Sequence, residues 1–301
     1  NLGTRQSVEG IRAHVEAIVD AVDIESPPDV VVDIGNGAGM ITVDAFQRLG
    51  ASVQTLNAQA DGSFPGRPSE PTADNCESLQ VLSEHQGSVG IAHDGDADRM
   101  RAVTESGTFV SGDVLLAILA GEAAQPGETI AAPVNTSLAV DDYLDQWDVD
   151  VVRTCVGDVA VAERASEQGV AFGGEPSGAW IYPDESLCPD GPLAGAKLLE
   201  LAADRTLDDW VADVDRYPIH RDSVPVDDRE AIMAQVRDRV ADTYDDVSKL
   251  DGVRVDLGDA WFLVRASGTQ PLVRVTAEAR DAQRAQAVFE QARDLVERAR
   301  N

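Results

Sequence analysis

The sequence predicts an α/β protein: consecutive α/β domains with mainly parallel mixed sheets, then a C-terminal α+β domain with a small open sheet. Three observations carry that expectation. Short apolar runs such as Val30-Val31-Val32-Asp33-Ile34 and Val89-Gly90-Ile91-Ala92 read as strands buried on both faces. Between such runs lie longer helical patterns, so strand and helix alternate and right-handed crossovers follow. Beyond residue 215 closely spaced strands give way to one long amphipathic terminal helix. At 301 residues the chain has room for two or three domains, and its pattern divides it into 1–104, 105–214 and 215–301.

Taken in order, a helix starts at Ser7, a fair N-cap, with Val8, Ile11, Val15, Ile18, Val19 and Val22 on one face. Strand 30–34 runs through Gly35-Asn36-Gly37-Ala38-Gly39 into a helix ending near Leu49. That glycine cluster is a tight strand-to-helix turn. A dinucleotide loop would need the G-x-G-x-x-G register and an acid about twenty residues on, and both are missing. Strand 51–56, a polar loop over 61–75 carrying Phe64-Pro65-Gly66-Arg67-Pro68, and helix 76–85 lead to strand 89–92. A second unit has helices at 112–124 and 137–146, strands at 129–134 and around 149–152, a turn over 153–158, and helix 159–168. After a glycine-rich loop, Asp190-Gly191-Pro192 starts helix 193–203, and a further helix covers 207–214. The last unit has strand 219–226, helix 229–244, the strands 252–257, 260–264 and 272–275, and a terminal helix. Ala285, Val288, Phe289, Ala292, Leu295, Val296 and Ala299 line one side of that helix.

Three stretches carry chemistry. The first is His93-Asp94-Gly95-Asp96-Ala97-Asp98-Arg99. Carboxylates at i, i+2 and i+4 in a tight loop converge only if something cancels their repulsion. A hard divalent cation, Mg2+ or Ca2+, does so through oxygen ligands. A solvated acidic loop is the alternative in a chain this acidic. An EF-hand is excluded, because Arg99 stands where that loop needs glycine and a strand precedes it, although Glu105 falls at the last ligand position. Small Gly95 and Ala97 let the backbone fold back.

The second stretch is Gly173-Gly174-Glu175-Pro176-Ser177-Gly178, whose glycines free the backbone to approach a ligand. A hairpin with a chance acid at its tip is the other reading. The third is Arg265-Ala266-Ser267-Gly268-Thr269-Gln270-Pro271, in chemistry an oxyanion cradle. Arg265 offers a bidentate guanidinium, Ser267 and Thr269 offer hydroxyls, and Gly268 exposes its N–H. Arg274 adds a second charge if the loop folds back. A Ser-Gly-Thr turn between strands also occurs without a ligand.

Charge narrows the function classes. With 24 basic and 54 acidic residues the formal charge is −30, and only Lys197 and Lys249 are lysines. Over 43% hydrophobic content this describes a folded protein adapted to high salt. A nucleic-acid partner is disfavoured, since phosphate backbones attract basic faces. Cys76, Cys155 and Cys188 are scattered and without CxxC spacing, which argues against a disulfide framework or zinc site and fits a reducing cytoplasm. No stretch approaches a membrane span, no signal peptide opens the chain, and no P-loop is present.

Together these loops resemble, in order and over essentially the whole chain, the α-D-phosphohexomutases of the phosphoglucomutase/phosphomannomutase superfamily. The resemblance implies Asp94, Asp96 and Asp98 as Mg2+ ligands, with Arg99 orienting the acids or contacting phosphate. It implies Glu175 and Ser177 as sugar contacts, and Thr154, Gly157 and Asp158 as a further active-site turn. It implies Arg265, Ser267, Gly268 and Thr269, joined by Arg274, as the grip on the distal phosphate. The partners implied are a hexose phosphate and a hexose bisphosphate, all three loops facing one cleft. The reaction implied is a reversible shift of phosphate between O6 and O1 of a hexose through a phosphorylated serine.

The family has four domains, and this chain resembles the second, third and fourth. The first domain's Ser-His-Asn-Pro loop occurs nowhere in these residues. Asn1 is then either the far side of a truncation or the start of a natural short, non-catalytic sugar-phosphate-binding paralogue. Ala179 stands where many members have His, Val159 where many have a basic residue, and Gln270 where Glu is usual. Glu-Pro-Ser-Gly-Ala-Trp is more like the archaeal phosphoglucosamine mutase-like branch.

So large a like charge repels itself in the compact state, and salt screens it. Raising KCl from about 0.1 M to about 2 M should therefore lift Tm by roughly 5 °C or more, read by calorimetry. A flat or falling Tm contradicts the salt adaptation.

Overall fold

The computed structural model describes residues 9–268 and 270–300. Contacts gather the chain into two compact units, Asn1–Leu119 with Pro176–Asp213, and Ala120–Glu175 with Val214–Asn301. The first unit holds α1 (Gly10–Asp20), β1 (Val30–Asp33), α2 (Met40–Arg48), β2 (Val53–Leu56), α3 (Glu77–Gln86), β3 (Val89–His93) and β4 (Met100–Val103). The chain crosses to the second unit within α4 (Gly112–Ala123) and continues through β5 (Thr129–Pro133), α5 (Leu138–Asp145), β6 (Asp150–Thr154), α6 (Asp158–Ala165) and β7 (Val170–Gly174). Elements β8 (Trp180–Ile181), α7 (Gly191–Asp204) and α8 (Leu207–Ala212) return to the first. The second is completed by β9 (Ile219–Pro225), α9 (Arg229–Ala241), β10 (Val247–Ser248), β11 (Val253–Asp256), β12 (Ala260–Ala266), β13 (Leu272–Ala279) and α10 (Ala282–Arg300).

In the first unit the sheet order is β2-β1-β3-β4. Strand β1 runs parallel to β2 and β3, while β4 turns back antiparallel, with His93 opposite Met100. Every residue of β1 and β3 is buried, because helices cover both faces. On one face α3 sets Leu79 against Val31, Ala92 and Val103. A Cβ on Gly90 would lie 2.5 Å from Ser83 Oγ, so glycine is what lets α3 approach this closely. The other face is covered by α2 and α7, where Phe46 is fully buried.

Several expectations need correction. Ser7 and Val8 lie outside the described residues, and the helix described begins at Gly10 behind Glu9, which makes no side-chain cap. Val15 and Ile18 are buried as the pattern predicts, but Ile11 is 69% exposed and Val22 lies beyond the helix end. Strand β4 was not anticipated, because Arg101 interrupts its apolar run; β8 and β10, two residues each, are too short to show periodicity. Arg153 and Thr154 close β6 instead of belonging to a turn, and helix α9 stops at Ala241. No helix among the described residues is long and apolar enough to cross a membrane.

The second unit combines three parallel strands, in the order β6-β5-β7, with an antiparallel sheet ordered β10-β11-β12-β13-β9. One face of the antiparallel sheet packs Phe262, Val264, Val273 and Val275 against Val236 and Val240 of α9 and Val288, Ala292 and Val296 of α10. Its other face sets Trp261 and Leu263 against Val134 and Leu138.

A buried carboxyl group fastens this second contact. Glu278, 1% exposed, accepts from Ser137 Oγ at 2.6 Å, Leu138 N at 2.8 Å and Trp261 Nε1 at 2.7 Å. The Arg254 guanidinium stacks over the Trp261 ring at 4.2 Å and donates to Val134 O at 2.5 Å. Glu278→Ala would strand three buried donors, so urea denaturation should show a loss of about 3–5 kcal/mol. A loss below about 1 kcal/mol would mean water replaces the carboxylate at no cost.

Candidate functional site

The acidic loop joins β3 to β4 as the tip of an antiparallel pair, which turns the chain back within six residues, 94–99. Ala97 takes φ +64°, a left-handed conformation uncommon for a residue with a Cβ, and is held there at 5% exposure. The result is the convergence that the spacing implied. Carboxylate oxygens of Asp94, Asp96 and Asp98 lie within 4.8 Å of one another. Asp94 is buried, Asp98 half-buried and Asp96 exposed. Burial, with the charges of Asp94 and Asp96 beside it, pushes the Asp98 carboxyl up to about 6. Arg99 N donates to Asp94 Oδ1 at 3.2 Å, and its guanidinium stands between Asp94 at 3.7 Å and Glu70 at 3.6 Å.

The loop does not hold this shape alone. Gly95 O accepts from Ala38 N at 3.0 Å, and Gly95 N donates to Ser69 Oγ at 3.0 Å. A Cβ on Gly37 would lie 2.3 Å from Gly95 O, so the glycine turn after β1 is shaped by this loop and not by a nucleotide. Beneath it Arg67 and Asp33 form an ion pair at 2.8 Å with side chains 2% and 3% exposed. Arg67 also donates to His93 O at 2.5 Å and to the carbonyls of Pro68 and Ser69, both at 3.0 Å. Asp33 Oδ1 accepts from Gly35 N and Asn57 Nδ2, both at 2.9 Å. His93 Nδ1 lies 2.8 Å from Arg99 O, an acceptor, so that nitrogen carries the proton and Nε2 accepts from Thr42 Oγ1 at 2.8 Å. Burial drives His93 down to about 4, keeping it neutral.

Ser177 belongs to the same unit. Its stretch runs beside the exit of the acidic loop: Gly178 O accepts from Met100 N at 2.9 Å, Ala179 bridges Arg99, and Pro176 O accepts from Arg101 at 3.1 Å. A cavity of about 720 Å³ adjoins Asp96 and Asp98, with Ile11 and Met40 on its wall.

The second unit carries the other predicted residues. Gly157, the N-cap of α6, donates its N–H to Glu175 Oε1 at 2.7 Å. These two residues follow β6 and β7, strands that flank β5, and so lie beyond the strands' carboxyl ends where ligands gather. Thr154 is 6% exposed, its hydroxyl donating to Cys155 O at 2.8 Å, and Asp158 is exposed at the start of α6. Asp251 Oδ2 accepts from Val156 N at 3.0 Å and from Arg265 Nη1 at 3.1 Å, tying this turn to the cradle arginine.

Arg265 sits on β12, not in a loop, directly opposite Arg274 of β13. Strand register therefore pairs the two charges. Ser267 is 3% exposed, and its hydroxyl accepts from Gln270 N at 3.2 Å. Arg229 donates to the carbonyls of Ser267 and Gln270, pinning the turn. Gly268 is exposed with open space around it, and Thr269 lies outside the described residues.

Sequence reasoning missed Arg67, Asp251 and Arg229. Only Arg67 left a signal, an arginine flanked by prolines and glycine in a chain where basic residues are scarce.

Comparison with known proteins bears on all three stretches. Family models of phosphoglucomutase/phosphomannomutase match residues 11–107 (alpha/beta/alpha domain II), 111–217 (alpha/beta/alpha domain III) and 223–295 (C-terminal domain). The chain belongs to the phosphoglucomutase/phosphomannomutase family. Among its relatives, a probable phosphoglucosamine mutase of Methanopyrus kandleri is 41% identical over 298 residues, covering 96% of this chain and 66% of that protein. One from Methanococcoides burtonii is 41% identical, covering 98% and 68%. The crystal structure of a phosphoglucomutase/phosphomannomutase family protein from Burkholderia thailandensis superposes with a TM-score of 0.90 at 26% identity, covering 99% of this chain and 66% of that one. The chain thus spans about two thirds of the length of these proteins.

In this phosphoglucomutase/phosphomannomutase-family chain the Arg67 clamp yields a direct test. Arg67→Met keeps the aliphatic stem but leaves Asp33 buried and unpaired, so urea unfolding should lose about 3–5 kcal/mol. A loss under about 1 kcal/mol would show that the acidic loop stands without it.

Proposed function

We propose that this chain carries the metal-binding and substrate-binding parts of a phosphohexomutase interconverting hexose 6-phosphate and hexose 1-phosphate. The relatives' names favour phosphoglucosamine as the substrate. The observation that carries the reading is the acid trio: three carboxylates within 4.8 Å on a clamped loop, one of them raised to about 6 by burial and by its neighbours. An all-oxygen set with unbalanced negative charge is chemistry that suits a hard divalent cation. Asp94, Asp96 and Asp98 would hold Mg2+, and bound there the ion would supply charge neutralisation for a transferring phosphoryl group.

The chain's own residues do the rest. Arg99, already turned toward Asp94, orients the trio and reaches for phosphate. Glu175 and Ser177 take the sugar hydroxyls, supported by the turn of Thr154, Gly157 and Asp158. Glu175 is held in place by the Gly157 N–H, which donates to it at 2.7 Å. Arg265 and Arg274, with Gly268 N–H and the Ser267 turn, hold whichever phosphate is not reacting. Contacts usable in both orientations let a hexose bisphosphate turn round between two transfers. Positioning and electrostatics carry most of such catalysis. The serine that exchanges phosphate is not among these residues, since no Ser-His-Asn-Pro loop occurs in them. The acidic surface and scattered thiols fit a cytoplasmic enzyme working in high salt.

The test uses the natural full-length gene product with glucosamine, mannose and glucose phosphates as substrates. Asp96→Asn should lower kcat by about a hundredfold or more, with a smaller change in KM. Arg265→Ala should weaken hexose phosphate binding by about 1.5–3 kcal/mol. Unchanged turnover in the first variant overturns the metal role. Sugar-phosphate binding with no turnover in the unaltered protein would favour a non-catalytic paralogue.

A further inference from the structure

The phosphate-holding reading uses Arg265 and Arg274, yet the cavity they line, about 420 Å³, is built from more than these. Strand register sets its floor. Leu263 and Arg265 of β12 stand opposite Thr276 and Arg274 of β13, which stand opposite Arg221 and Ser223 of β9. Residues directly opposite one another share a face. Three guanidiniums, of Arg221, Arg265 and Arg274, therefore rise from one face of three adjacent strands.

Their charge is poorly compensated. Arg265 shares its positive charge with Asp251 at 3.1 Å. Arg221 and Arg274 are exposed, and among the described residues neither has a carboxylate at ion-pair distance. Asp222, the acid on the cavity wall, is instead paired with Arg293 of α10 at 3.6 Å. In a chain of formal charge −30, two adjacent unpaired arginines form a local attraction for anions. A phosphate dianion asks for more than the one shared charge of Arg265.

A second, independent feature points into the same cavity. Asn135 lines it, and Asn135 Oδ1 is buried with no hydrogen-bond partner among the described residues. Its position is set from both sides, by Arg254 donating to Val134 O and by Glu278 accepting from Leu138 N. A buried acceptor held without a donor is ready for one that a ligand brings. The volume falls in the range of about 300–1,000 Å³ typical of small-molecule sites, too large for a phosphate ion alone.

We propose that Arg221 and Asn135 are further substrate-binding residues of this cavity. Arg221 acts with Arg274 on the phosphate dianion, and Asn135 Oδ1 accepts from a hydroxyl or amine of the sugar that carries it. This deepens the phosphate-holding role of Arg265 and rests on it.

The test is calorimetric titration of the 301-residue chain with glucosamine 6-phosphate and, separately, inorganic phosphate. Arg221→Gln should raise Kd for both ligands about tenfold, and Arg221→Lys should recover part of the loss. Asn135→Ala should raise Kd for glucosamine 6-phosphate about fivefold and leave inorganic phosphate unchanged. The Arg221 side chain makes no hydrogen bond or ion pair with the rest of the described fold, so its variants should keep the parent Tm. If Arg221→Gln binds both ligands as the parent does while Arg265→Gln does not, this inference falls and the phosphate role of Arg265 stands. If neither variant changes binding, or the parent binds neither ligand, both fall.

Discussion

Like-charge repulsion in the acidic loop is the constraint on which the first unit depends. Two unit charges about 4 Å apart near a protein surface repel by about 4 kcal/mol, and this loop gathers three acids within 4.8 Å. Left alone, the segment would spread. It is held by parts drawn from far along the chain: the glycine turn after β1 through Ala38, the 61–75 loop through Ser69, and Arg67 gripping the carbonyl of His93. Arg67 is itself fixed by buried Asp33 at the end of β1. The strands of the sheet therefore aim a set of backbone bonds at one short loop. Burial, together with the repulsion these bonds maintain, pushes the Asp98 carboxyl up to about 6.

The second unit solves the opposite problem, gathering positive charge in an acidic protein. Here register does the work. Arg265 and Arg274 face each other because β12 and β13 pair antiparallel, and Asp251 fixes Arg265 while also capping the turn at Val156. One carboxylate thereby couples the turn that holds Gly157 and Glu175 to the strand that carries the cradle arginine. Glu278 and Arg254 do the equivalent service for the 134–138 segment.

How much of this was legible depended on the range of the interaction. Strand and helix alternation follows from local periodicity, and β1, β3, α4 and α10 lie close to where the apolar pattern puts them. The acid trio is three residues in five, so its convergence was local too. Strand β4 was hidden because four residues with Arg101 among them carry no clear alternation. Ile11 misled because an apolar residue at helical spacing need not face a core; here it lines the cavity beside Asp96 and Asp98. Arg274 was tied to Arg265 on the condition that the loop between them folds back, and the antiparallel pairing of β12 and β13 is that return. Arg67 and Asp251 act across 34 and 14 residues respectively, and no short pattern records such partners.

A built cation site differs from a merely acidic surface in binding one ion tightly, and the acid trio is such a site only if it does so. Mn2+ can stand in for Mg2+ because both favour oxygen ligands, and its electron paramagnetic resonance signal reports the free ion. The decisive titration uses the cation-free 301-residue chain in about 2 M KCl, where diffuse attraction to the acidic surface is screened. One tightly held Mn2+ per chain, lost on Asp94→Asn, is the result expected. No bound ion, or binding that survives Asp94→Asn unchanged, would contradict the account.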